Sequence, residues 1–156
     1  MGRNVDRGVW LAWLVRGGLV LVAMVGLGLA VAWAERPLEG PAPVAWDREA
    51  CAHCRMHVGE PGFAAQLQTK DGRVLNFDDP GCLLRYEAEV HPEVHAVYFH
   101  HVAEDRWLPR ERTAFLRAEP TPMGYGLGAV ERGTEGAISP EAALASLRRE
   151  PAERGR

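Results

Sequence analysis

Between Gly17 and Ala34 the chain runs for 18 residues without a charged side chain. As a helix, a run of that length just spans the hydrocarbon core of a bilayer, and it is long for the apolar part of a signal peptide. Arg3, Arg7 and Arg16 precede it against a single Asp6, which predicts an N-terminus in the cytoplasm. Ala32-Trp33-Ala34 just before Glu35 also fits a small-x-small cleavage site. Both readings put residues 35–156 on the outer face of the cytoplasmic membrane or in the periplasm. A retained single-helix anchor is the favoured reading, and a cleaved, soluble form is the alternative. Roughly 120 residues then remain to fold, room for one ordinary domain.

The charge balance narrows the function. The first 34 residues hold three arginines and one aspartate, against chain totals of 18 basic and 21 acidic side chains. The remainder carries a net charge near −5, the wrong sign for a phosphate backbone. Nucleic acid is therefore excluded as a partner.

Sulfur is scarce beyond the apolar run, and concentrated. Cys51, Cys54 and Met56 fall within Cys51-Ala-His-Cys54-Arg-Met56-His57, and the only others are Cys82 and Met123. Two thiolates and a thioether form a soft-ligand set that selects Cu(I), although thiolates alone also suit zinc. A Cys-x2-Cys spacing lets two sulfurs close on one ion across a turn. An extended chain would turn Met56 to the same side as Cys54. His53 and His57 flank the sulfurs as possible nitrogen donors. The alternatives are a Cys51–Cys54 disulfide with Met56 as core filler, or a structural zinc with Cys82 or a histidine as fourth ligand. A c-type haem is excluded because Arg55 stands where that attachment motif needs His.

The rest predicts a small α+β domain. Residues 35–50, rich in Pro and Gly, read as a linker. Asp71-Gly72 between Phe63–Thr69 and Val74–Phe77 predicts a hairpin. Asp78 or Asp79, followed by Pro80, predicts a capped helix to about Val90. Capping explains that acidic pair better than acid–base chemistry does. Strands are expected within His95–Val102, at Trp107-Leu108 and over Thr113–Leu116, and again entering Val130 after the loop Thr121–Leu127. Pro140–Leu147 reads as a last amphipathic helix, with a frayed tail at 151–156. His91, His95, His100 and His101 are assigned to solvent or structure. His100 and His101 are adjacent, so at most one of them would face a common site.

The run Cys51-Ala-His-Cys54-Arg-Met56, then Phe63-Ala-Ala-Gln-Leu, Phe77-Asp-Asp-Pro-Gly-Cys82, Trp107 and Thr121-Pro-Met123-Gly-Tyr-Gly126 resembles the NosL family. These are copper-binding accessory proteins of nitrous oxide reductase, and the resemblance covers roughly residues 50–148. It implies two small ββαβ-type units resembling the organomercurial-lyase fold, preceded here by the membrane helix. The copper-binding domain would occupy 51–150. It further implies a Cu(I) metallochaperone, not an enzyme, that hands copper to an apo-enzyme such as nitrous oxide reductase and its maturation machinery. By position, Cys54, Met56 and Met123 match the family's copper ligands. Cys51 makes this chain a dithiol variant, and Cys82, His57 and His53 stand as second-rank candidates. The cysteine that would carry a lipid anchor is absent, so the helix would be the anchor. The alternative from another class is an extracytoplasmic thiol–disulfide oxidoreductase using Cys51 and Cys54.

Overall fold

The computed structural model describes residues 6–34 and 39–149. The chain divides into two units, Met1–Arg36 and Pro37–Arg156. Residues 35–38 of the expected linker and the expected tail at 151–156 lie outside the described residues.

The first unit holds helix α1, Asp6–Ala34. Its segment Trp13–Val31 is 19 residues long with mean hydropathy 2.2. At 1.5 Å per residue that is about 28 Å, close to the thickness of a bilayer core. Large apolar side chains such as Trp13, Leu14, Leu19, Leu21 and Leu27 are all exposed on it. An all-round apolar helix of this kind is long and apolar enough to cross a membrane, as a signal sequence would also be.

The second unit is an α+β domain. Strands β1 (Ala65–Thr69) and β2 (Val74–Phe77) form the expected hairpin, with Ala65 opposite Phe77 and Gln68 opposite Val74. Gly72 takes φ 83° at the turn, a conformation that a Cβ would strain. Helix α2 (Pro80–Val90) follows, capped by Asp79 in extended conformation. Pro80 sits in the first turn, where its missing N–H costs nothing. His91 ends the helix in the left-handed region and is exposed. Strand β3 (Val94–His100) returns beside β1, and β4 (Trp107–Pro109) completes a sheet of order β2-β1-β3-β4. Strands β5 (Thr113–Arg117) and β6 (Leu127–Glu131) pair separately, before helix α3 (Pro140–Arg149).

The elements β1-β2-α2-β3 form one ββαβ unit. The other half of the domain contributes β5, β6 and α3, and Ile138 bridges to Phe115 just ahead of the helix. Among the described residues no strand follows α3. The two halves share one core in which Phe99 meets Phe115 edge-on, at 5.0 Å between ring centroids. Such a pair adds about 0.5–1.5 kcal/mol beyond its buried area.

The segment read as a linker is in part a piece of the domain. Gln66 accepts from the Ala42 backbone N–H at 2.7 Å and donates to the Ala42 carbonyl at 3.1 Å. Gln68 donates to the Gly40 carbonyl at 2.7 Å, and Val44 and Trp46 pack on the core. Strand β1 is consequently buried along its whole length. Its apolar face lies on the core, and its glutamine face is covered by residues 40–46. Proline and glycine made this stretch look like a spacer. The buried side chains of Gln66 and Gln68 hold it down through these hydrogen bonds.

Candidate metal centre

Cys51 and Cys54 lie on a loop closed at its base by an antiparallel bridge between Ala50 and His57. Within it the Cys51 N–H donates to the Met56 carbonyl at 2.7 Å, and the Arg55 N–H to the Cys51 carbonyl at 3.1 Å. Arg55 closes the turn with φ 68°. The Ala52 N–H donates to the Asn76 carbonyl of β2 at 2.9 Å, and the Gly59 N–H to the Asp78 carboxylate at 3.2 Å. The loop is thus fastened to the sheet on one side and to the start of α2 on the other.

Cys82 reaches the same place from α2. It is the third helical residue after the cap, in a first turn that is wholly buried. The sulfurs of Cys51, Cys54 and Cys82 all lie within 4.8 Å of one another. All three are free thiols, so the disulfide alternative does not describe this structure. Cys51 and Cys82 have no solvent exposure, whereas Cys54 is half-buried.

Proximity divides the protons unequally. The Cys82 thiol donates to the Cys51 sulfur, and the backbone N–H groups of Asp78, Cys54 and His53 also point at it. Against the cost of burial, these hold Cys51 down to about 4. The same hydrogen bond, burial and the neighbouring thiolate push Cys82 far above the ordinary thiol range. Cys54 is raised too, first by burial and then by Cys51. Of the three, Cys51 is thus the sulfur favoured as thiolate, and Cys54 and Cys82 are favoured as thiols.

The two aspartates organise the surroundings. Asp79 accepts from the Gly81 N–H at 2.8 Å as the helix cap, and from the Met123 N–H at 3.2 Å. This fastens the loop Thr121–Gly126 to the helix end that bears Cys82. The Tyr125 ring lies on Gly81, where a Cβ would come within 2.3 Å of it. Arg85 stands over that ring at 5.8 Å. Burial raises both carboxyls above their ordinary value.

The remaining expected residues are placed as follows. Met123 is partly buried against the core, with its backbone held by Asp79. Met56 is 54% exposed. The extended geometry that would have turned it alongside Cys54 is not adopted, because the left-handed Arg55 intervenes. His57 is exposed, and His53 Nδ1 faces Glu89 at 3.8 Å. Among the described residues no histidine nitrogen or carboxylate oxygen joins the three sulfurs within the same distance. His100 and His101 are both buried at the end of β3. His100 meets the Asp105 carboxylate at 3.2 Å, and the ring of His101 accepts from the Ala103 and Glu104 N–H groups.

No protein-family model matches the sequence, and no curated protein matches it. The structure is similar to the crystal structure of the copper chaperone NosL from Shewanella denitrificans. The two are 18% identical, the match covers 72% of this chain and 88% of that chain, and the TM-score is 0.49.

The donor set itself says what it fits. Three sulfurs with no nitrogen or oxygen among them form a soft site. Structural zinc takes four ligands in a tetrahedron, whereas Cu(I) is satisfied by two or three. From the sequence Cys82 was only a second-rank candidate. The available signal was its place in a buried first helical turn, directly after an Asp-Asp-Pro-Gly cap.

Proposed function

We propose that this protein is a Cu(I) metallochaperone, anchored by its N-terminal helix on the outer face of the cytoplasmic membrane. It hands copper to an apo-enzyme, of which nitrous oxide reductase is the example implied by the resemblance of the sequence motifs. The observation that carries the reading is the meeting of three free thiols within 4.8 Å. In this reading Cys51 and Cys54 hold the ion, and Met56 and Met123 are thioethers to which it passes as it leaves. Cys54, the one thiol of the three with solvent access, is where an acceptor's donor enters. Binding and ligand exchange need no general acid or base.

Anaerobic titration of Cu(I) into the full chain in detergent, against a chelating competitor, tests this. One tightly bound ion per chain is expected. Affinity no better than that of an isolated surface thiol would defeat the reading.

Beside the Cys-x2-Cys spacing, the lowered pKa of Cys51 favours a thiol–disulfide oxidoreductase. A redox nucleophile must be both ionised and reachable. Here the ionised Cys51 is fully buried, and the reachable Cys54 is raised. The helix near the site starts at Pro80, not at the Cys-x2-Cys pair. Catalytic reduction of insulin by the chain would reverse this preference.

A further inference from the structure

Resting on that reading, we propose that Cys82 is the third resident ligand, so that the stored ion sits in a trigonal site of three thiolates. The geometry is close to what such a site requires. The centre of an equilateral triangle of side 4.8 Å lies about 2.8 Å from each corner, and 4.8 Å is the upper limit of these separations. A metal–thiolate bond of about 2.3 Å needs sides of about 4.0 Å. Each sulfur therefore has less than about 1 Å to move, within rotamer adjustment on a loop and one helical turn.

Cys82 is also placed by its element. Asp79 caps α2, Pro80 fixes the backbone of the first turn, and Leu83 and Leu84 anchor the helix in the core. Its sulfur has no solvent exposure and faces two other sulfurs. A buried thiol that merely filled space would pack on carbon. The thioethers are differently situated. Met56 is exposed and follows the left-handed Arg55, and Met123 is partly buried with its backbone tied to Asp79. Cys51 and Cys82 form a closed floor, and Cys54 forms the outer wall.

The assignment separates this chain from a site built on one cysteine and two methionines. A third thiolate retains the ion more tightly and makes release depend on an incoming donor. It also makes the first turn of α2 part of the metal site.

X-ray absorption of the Cu(I)-loaded full chain in detergent counts the ligands directly. Three sulfurs at one distance are expected, and a wild-type site of two sulfurs, or one completed by nitrogen, would overturn the assignment whatever any variant does. Chelator competition supplies the second arm. Cys82→Ala, which keeps the buried position apolar, should lower Cu(I) affinity by at least about tenfold and leave two sulfurs. Unchanged affinity in a folded Cys82→Ala chain would remove Cys82 from the site while leaving the chaperone reading intact. Failure of the wild-type chain to bind Cu(I) would remove both.

Discussion

Cys51 keeps its charge without any contact with water, because three backbone N–H groups and the Cys82 thiol replace the solvent. Cys54 and Cys82 are displaced the other way and hold their protons more tightly than an ordinary thiol. An ion bound by all three must therefore expel about two protons. Cu(I) affinity should rise with pH from neutrality towards the ordinary thiol range, by up to about two decades per unit. Chelator competition at a series of pH values measures the slope, and a flat profile would show that only Cys51 is engaged. Met123 is to be judged by a different quantity. If its thioether serves exchange, Met123→Leu should leave affinity nearly unchanged and slow Cu(I) transfer to a chelator several-fold. A stopped-flow transfer rate equal to wild type would take Met123 out of the path. The soft residues themselves were visible in the sequence from their scarcity. Which of them meet was not, since Met56 is two positions from Cys54 yet 54% exposed, while Cys82 is 28 positions on with its sulfur within 4.8 Å of that of Cys54.

The start of α2 is the element on which the site depends. Its cap and proline were legible because they act within four residues, and the structure places the cap on Asp79. The second bond of Asp79, to the Met123 N–H, spans 44 residues and has no local signature. Gly81 shows the same limit. Its helical position suits any residue, yet the Tyr125 ring occupies the space of a Cβ. Gly81→Ala should force the Thr121–Gly126 loop away and cost about 1–3 kcal/mol by overpacking. Denaturant unfolding would show the loss, and limited proteolysis would show faster cleavage within that loop. A variant as stable and as resistant as wild type would mean that the ring moves freely. The hairpin was equally legible through Asp71-Gly72. Residues 40–49 were not, because Pro and Gly signal a spacer just as well as a strap, and only Gln66 and Gln68 distinguish the two.

For the whole molecule, α1 and the domain pose separate problems. A segment of 19 residues with mean hydropathy 2.2 should keep the full chain with the membrane fraction through high salt and alkaline carbonate, and release it into detergent. Protease added from the outside should digest residues 39–149 and spare the N-terminus, as the three leading arginines predict. Recovery of a chain beginning near Glu35 in the aqueous fraction would show that the helix is a signal sequence instead. The order of strands and helices, the start of α2 at the Asp78-Asp79-Pro80 run, the hairpin turn and the soft character of the site were determined by the sequence alone. Each depends on neighbours in the chain, where hydrogen-bonding capacity and side-chain periodicity act over a few residues. The membership of the sulfur cluster, the division of protons within it and the docking of residues 40–49 were decided by the tertiary structure. They depend on distances between segments far apart in the chain, which exist only once a shared core has fixed α2 against the sheet.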